Sequence, residues 1–505
     1  LGAILSGTSQ ASAKSADFSG RAGAVVVPPS LLQFCQSQRS KRTSGMVNYR
    51  LTCVCCFLQH IFISVLGWFL CMTAESSREV VITGVGIFSP VGIGRSEFWS
   101  GISSGRCGLR PIQLEEWVAA PGCIGGEVSD FNDETAKKVH LKSLRKSLKV
   151  MCREIQMGVA SALQAMEDAG LAAGSVPPSR IGCDFGANLM SSPPEVIHES
   201  ALRSRSTRFG TLAFDYDRWG EVGRLGLEPL WLLKYLPNMP GCHIGIALEA
   251  CGPNNSITHD EASGGLVIGE ACNAIRRNRA DVMIAGVTGT RLHTVKACHA
   301  ARWDLLADGP AETRVRPFDA ARSGEAIAEA ACSLILESRE HAEKRGAKIL
   351  GTVLGCGSSS VASRTGEPDE AAAVKLAASA ALSRAGITPA QLGHINACAS
   401  GNPQRDRAEA LGLRQLLGTD AERVPVTAIK SYTGSAGSGS SLCELAASLL
   451  ALQQGLIPRT LNFSSTDADT PLDVVHGEHR QAASGLFLKT SVTRVGQASA
   501  VVIRV

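Results

Sequence analysis

Residues 236–289 read LPNMPGCHIGIALEACGPNNSITHDEASGGLVIGEACNAIRRNRADVMIAGVTG. A proline-punctuated lead-in opens onto an apolar run, 242–250, in which Ile244, Ile246 and Leu248 alternate as in a strand with one apolar face. Gly252 and Pro253 mark a turn, and a short segment then ends at Thr258. A Gly/Ala-rich helix is expected from about residue 261 to residue 278, followed by a strand over 280–286. A tight turn feeding the N-terminus of a buried helix presents unpaired N–H groups and the positive end of the helix dipole. That setting suits a nucleophile or an anion.

Outward from this centre, the chain reads as α/β. REVVITGVGIFSPVG, residues 78–92, predicts a buried strand over 80–83 that runs into a Gly/Pro loop. VASALQAMEDAGL, 159–171, predicts an amphipathic helix closed at Gly170. The design returns later: ILGTVLGCGSS, 349–359, is strand-like, and VKLAASAALSRAGI, 374–387, is a helix closed at Gly386. The echo predicts two related halves, 78–340 and 345–505, each a sheet covered by helices. Residues 199–237 are charged and aromatic with weak periodicity, and read as a loop-rich cap, either a solvated insertion or a substrate-facing lid.

A chain of 505 residues exceeds what one hydrophobic core organises, which fits two halves. A net charge of +4 argues against a nucleic-acid partner, which needs a concentrated basic face. Only 5% of residues are aromatic while 52 are glycine, a composition for helices packed closely on a sheet rather than for a stacking surface. The 17 cysteines are scattered and no C-x-x-C is matched by a second pair, so we expect free, mostly buried thiols and a cytoplasmic setting.

The first 72 residues differ from the rest. Up to about residue 50 they are Ser/Gly/Ala-rich, with Arg39, Lys41 and Arg42 forming a basic run. LTCVCCFLQHIFISVLGWFLCM, 51–72, carries no charge and has the roughly 20 residues a membrane-crossing helix needs. Gln59 and His60 interrupt it. An over-extended reading frame, a membrane anchor and a processed targeting segment all fit. Membrane attachment is expected only through this segment.

LPNM, GPNNSIT, GEACNAIRRNRADVMIAG, RPFDAARSGEAIAEAACSLILES, KSYTGSAGSG and ALQQGLIPRTLNF occur in one order across 78–505. Together they resemble the β-ketoacyl-acyl carrier protein synthases, or ketosynthases. The resemblance implies a thiolase fold, two pseudo-symmetric α/β halves in a five-layered α-β-α-β-α arrangement. It also implies a dimer and an acyl carrier protein as partner, with no cofactor and no metal. His259, Asp260 and Glu261 are no exception, since adjacent ligands on one turn rarely converge on an ion.

The family condenses acyl chains with a Cys at the helix N-terminus and two His residues. Counted back from Ile268 and Gly269, the position of the nucleophile is Glu261. The first His falls at Cys398, in NACASGN, where Asn396, Ala397 and Gly401 still match. The second falls at Ser435, after the Lys-Ser-x-Thr-Gly pattern that keeps Lys430 and Thr433. Glu329 is also kept; with Lys430 it is expected to serve as an internal ion-pair or hydrogen-bond partner. The C-terminal glycine loop of the family falls in SVTRVGQAS, where Arg494 stands among the replacements and Gly496 survives. A missing oxyanion donor alone typically costs about 2.7–4 kcal/mol of barrier, and here the nucleophile and both imidazoles differ as well.

The expected function is therefore that of a non-condensing ketosynthase homologue in fatty acid or polyketide biosynthesis, similar in role to a chain-length factor. It would pair with an active ketosynthase as a heterodimer, or with itself. Two alternatives stay open: a 3-oxoacyl-acyl carrier protein synthase using an unusual site, and a stand-alone acyl-binding scaffold.

Overall fold

The computed structural model describes residues 78–113, 120–208, 210–469 and 471–505. The segment 51–72, like the rest of the first 77 residues, lies outside the described residues. Two sets of five strands, with the short strand Gly92–Ile93 paired to the first of them, build one sheet. The first set is β1 (Val80–Ser89), β2 (Ile181–Ala187), β3 (Asn254–Ile257), β4 (Val282–Thr290) and β5 (Glu329–Ser338). The second is β6 (Gly351–Ser360), β7 (His394–Ala397), β8 (Val426–Ala428), β9 (Leu486–Val492) and β10 (Gln497–Arg504). Seven helices matter for the site: α1 (Arg153–Asp168), α2 (Met239–Leu248), α3 (Ser263–Arg276), α4 (Thr294–Trp303), α5 (Glu370–Ala385), α6 (Pro403–Leu417) and α7 (Ser438–Leu452).

The spatial order is β1-β5-β4-β2-β3 in the first set and β6-β10-β9-β7-β8 in the second. In both, two antiparallel pairings are followed by two parallel ones. The leading strands meet antiparallel, with Ile82 opposite Gly351, and so join the sets. The repeat extends to irregularities. Pairing slips between Ile82 and Gly84 in β1, and between Val353 and Gly355 in β6. A Cβ on Gly84 or Gly86 would collide with the Ala165 or Ser161 carbonyl of α1, and one on Gly355 or Gly357 with the Ala381 or Ala377 carbonyl of α5. Glycine is required at all four positions because strand and helix backbones touch.

α3 and α7 form the middle layer. α3 packs on β2 and β4 on one side and on β6 and β10 on the other, while α7 lies against β4, β5 and β9. α1 covers β1, β5 and β4 from outside, and α5 covers β6 and β10. This is the five-layered thiolase-type arrangement. Every residue of α7 is buried, which its all-round small and apolar sequence permits.

One expectation fails. Residues 242–250 are not a strand: they belong to helix α2 and its end. The alternation of Ile244, Ile246 and Leu248 fits either period over so short a run. Pro240 in the first turn and the four-residue spacing of Pro240, Ile244 and Leu248 settle it as a helix. Those three are buried, while Ile246 is 69% exposed. Glu249, at φ 53°, closes the helix. The strand before the turn is the edge strand β3.

Other boundaries shift. β1 continues to Ser89, α3 starts two residues later than expected behind a 3-10 turn at Asp260–Ala262, and β4 reaches Thr290. The cap is less loop-rich than its periodicity suggested: it holds helix Pro194–Arg203, the hairpin Arg205–Arg208 with Thr211–Phe214, and helix Tyr216–Glu221. Six cysteines among the described residues, Cys183, Cys272, Cys332, Cys356, Cys398 and Cys443, are buried free thiols. No helix among the described residues is long and apolar enough to cross a membrane.

Candidate functional site

The site begins where β3 turns into α3. The backbone N–H of His259 donates to Ser263 Oγ at 3.0 Å, and Asp260 takes a left-handed φ of 39° to make the turn. Small residues then let α3 seat deeply: Ser263 Oγ meets Ser438 Oγ of α7 at 3.1 Å, and Ser499 of β10 donates to the Ala262 carbonyl at 2.8 Å. This packing carries Glu261 inward, where it is 2% exposed.

Glu261 is held by arginine. Arg291, just beyond β4, donates to Glu261 Oε1 at 2.8 Å. Its other arm donates to Glu325 at 3.0 Å and lies 3.5 Å from Asp304. Arg405, in the first turns of α6, stands 3.8 Å from Glu261, 3.9 Å from Glu325 and 3.8 Å from Glu370. Its one close hydrogen bond goes to the Val492 carbonyl, at 2.9 Å. Burial alone would raise the Glu261 carboxyl, but Arg291, Arg405 and Lys430 outweigh it and hold the group down at about 2. Glu261 is thus an ionised carboxylate that accepts hydrogen bonds and donates none.

Cys398 lies one residue past β7, 4% exposed. Its backbone N–H donates to Glu409 at 2.9 Å. Lys430 Nζ donates to the Cys398 carbonyl at 2.6 Å and lies 3.3 Å from the sulfur. Lys430 and Lys489 each sit 2.6 Å from Glu444, which α7 carries into the core between them. Burial pushes the Cys398 thiol up, and Lys430 offsets this only in part. A buried thiol of raised pKa is a weak nucleophile.

Ser435 is buried too, and its hydroxyl has no partner among the described residues. Its backbone fixes the approach to β5: the N–H donates to the Ala326 carbonyl at 2.8 Å and the carbonyl accepts from Ala328 at 2.9 Å. Glu329 is fully buried, paired with Arg153 at 2.7 Å and accepting from the Val128 N–H at 2.9 Å. Thr433 is buried beside Lys430. The structure therefore brings Arg291, Arg405 and Lys430 to bear on Glu261, with Lys430 on Cys398, while Glu329 opens β5, Glu325 lies just before it, and Ser435 bridges that approach from the segment leading into α7.

The loop between β9 and β10 turns at Gly496, φ 73°, whose carbonyl accepts from Val361 at 2.8 Å. It projects Arg494 toward α4, 3.3 Å from His299 Nε2 and over the Trp303 ring. Gly401, φ 88°, donates to Asp406 at 3.0 Å and accepts from Gly324 at 2.9 Å; a Cβ there would press on the Gly324 carbonyl. Between these elements lies a cavity of about 320 Å³, whose wall includes Asn188, Glu261, Arg291, His299, Arg405 and Arg494.

Sequence reasoning did not single out Arg291, Arg405, Glu325 or Asp304. The usable signal was charge inside otherwise small or apolar runs, as at Arg291 after VMIAGVTGT and Glu325 before AIAEAAC. Such charges are retained inside a fold when they pair with one another.

Comparison with known proteins agrees with this architecture. The family described as β-ketoacyl synthase, N-terminal domain, matches residues 77–342, and the C-terminal domain of the same family matches 350–464. The granaticin polyketide putative β-ketoacyl synthase 1 of Streptomyces violaceoruber is 33% identical over 403 residues, 79% of this chain and 91% of that protein. The 3-oxoacyl-[acyl-carrier-protein] synthase 2 of Coxiella burnetii is 31% identical over 409 residues, 80% of this chain and 93% of that one. Among solved structures, the ishigamide ketosynthase/chain length factor superposes with a TM-score of 0.72 at 26% identity, covering 85% of this chain and 99% of that chain. The type II polyketide assembly AntDE:AntF, an acyl carrier protein in complex with its ketosynthase, gives 0.71 at 25% identity over 85% of this chain and 99% of that chain. This chain belongs to the β-ketoacyl synthase family.

Proposed function

We propose that this protein is a non-condensing ketosynthase of fatty acid or polyketide biosynthesis, working as the partner subunit of an active β-ketoacyl synthase. One observation carries the reading: Glu261, at the position we assign to the nucleophile, is locked by Arg291 at 2.8 Å. A carboxylate so paired is a poor acceptor for an acyl thioester, and, being ionised, it cannot donate a hydrogen bond to a malonyl thioester carbonyl. Cys398 and Ser435, at the positions assigned to the two histidines, supply no imidazole to assist decarboxylation.

The partner role is supported by the solved ketosynthase/chain length factor that this chain resembles along its folded length. The acyl carrier protein enters the proposal in the same way, from the complex with a ketosynthase. The edge strand β3 is the proposed place of subunit pairing, since its outer side is unpaired among the described residues and an open edge is normally covered. Self-pairing across the same edge is the competing outcome.

Co-expression with a condensing ketosynthase, followed by native mass spectrometry, tests the proposal. A heterodimer whose product changes in length or amount when this chain is omitted supports it. A homodimer that never exchanges with an active partner would refute it in favour of a stand-alone role.

A further inference from the structure

The wall of the 320 Å³ cavity carries two guanidinium groups whose donors the protein fills only in part. Arg405 is largely buried, with 13% of its side chain exposed. One arm donates to the Val492 carbonyl at 2.9 Å, but the three carboxylates around it stand at 3.8–3.9 Å, beyond hydrogen-bond distance, and its Nε has no hydrogen-bond partner among the described residues. Arg494 has no carboxylate within ion-pair distance among the described residues; it lies 3.3 Å from His299 Nε2 and stacks toward Trp303. Both arginines line this cavity and also the open groove beside it, so solvent reaches them together.

Arg291 does not belong to this pair, because Glu261 and Glu325 already occupy its arms. The cavity therefore divides into a closed ion-paired floor and a rim with two partly filled forks. A guanidinium N–H left without an acceptor in a partly desolvated site is costly, and the planar fork matches a carboxylate.

We propose that the Arg405–Arg494 rim binds the carboxylate of a small organic acid, and that the cavity takes this ligand in place of a thioester-linked acyl chain. The proposal rests on the reading of the centre as non-condensing. Glu325, Glu370 and Asp260 near the rim favour a singly charged, planar carboxylate over a multiply charged phosphate, since each would repel added negative charge. The cavity volume admits only a short ligand body, which would lie against Leu189, Val295 and Ala300 as well as the ion-paired floor.

The test is titration calorimetry on the full chain with acetate, propanoate, lactate, malonate and hexanoate, and with inorganic phosphate as the comparison anion. The expected result is saturable one-to-one binding of at least one short carboxylate, weakened about tenfold or more by Arg494→Gln and less by Arg494→Lys. Arg494 is half-exposed on a loop, so its replacement leaves the core untouched. No saturable binding of any of these acids, affinity unchanged by Arg494→Gln, or equal binding of phosphate would each overturn the proposal. Condensation by the chain would instead retire the functional reading on which it rests, and that is a separate assay.

Discussion

Glu261 and Arg291 form an ion pair at 2.8 Å beneath the N-terminus of α3, joining the turn after β3 to the residue that follows β4. The two are unequal. Glu261 has one short partner, whereas Arg291 serves Glu261, Glu325 and Asp304 together. Glu261→Gln should therefore cost about 1–3 kcal/mol, because Arg291 keeps Glu325. Arg291→Met strands several buried acids and should cost about 3–5 kcal/mol. Urea unfolding of the two variants should show this order; equal losses would mean that Arg291 does not anchor the cluster.

Glu261→Cys should not restore condensation. On the proposed assignment, the new thiol would sit at the nucleophile's turn but against Arg291, with Cys398 and Ser435 still at the positions given to the imidazoles. Groups that act as a unit do not recover one at a time. Slow formation of an acyl adduct on the thiol is compatible with this, whereas sustained product measured by chromatography is not.

Cys398 should resist alkylation in the folded protein. Its thiol is 4% exposed and burial pushes its pKa up, while Cys251 and Cys298 are exposed. Limited treatment with iodoacetamide and peptide mapping should label Cys251 and Cys298 first. Early labelling of Cys398 would show that the site opens in solution.

His394 in β7 is fully buried, stacked on Phe487 with ring centroids 5.3 Å apart and 2.8 Å from Ser448 Oγ. Burial lowers its pKa to about 3 from 6.5. The unfolded chain then takes up a proton below pH 6.5 that the folded one refuses until about pH 3, so this residue's contribution to stability falls as pH drops across that window. Between pH 7 and pH 4, His394→Gln should lose less stability than the natural chain. Parallel losses in chemical unfolding would show that His394 titrates normally when folded.

Much of the fold was legible because strand–glycine–helix patterns recur. TGVGIF and LGCGSS mark two strands whose glycines lie against helix backbones, and the stops at Gly170 and Gly386 follow the matching helices. Residues 242–250 misled because three alternating apolar residues cannot separate a strand from a helix turn, and the deciding contacts of Ile244 and Leu248 are tertiary. At the candidate site, Glu261, Cys398, Lys430 and Arg494 were singled out from motif order. Arg291 and Arg405 were not, because no local pattern announces an ion pair between residues distant in sequence. The two arginines nonetheless define the electrostatics of the cavity.

The central claim is that this centre does not condense. Full-length protein incubated with acyl- and malonyl-acyl carrier protein should leave the carrier-bound species unchanged by mass spectrometry, at the level of a protein-free control. Accumulation of the β-ketoacyl product well above that control, with Glu261 in place, would contradict the account.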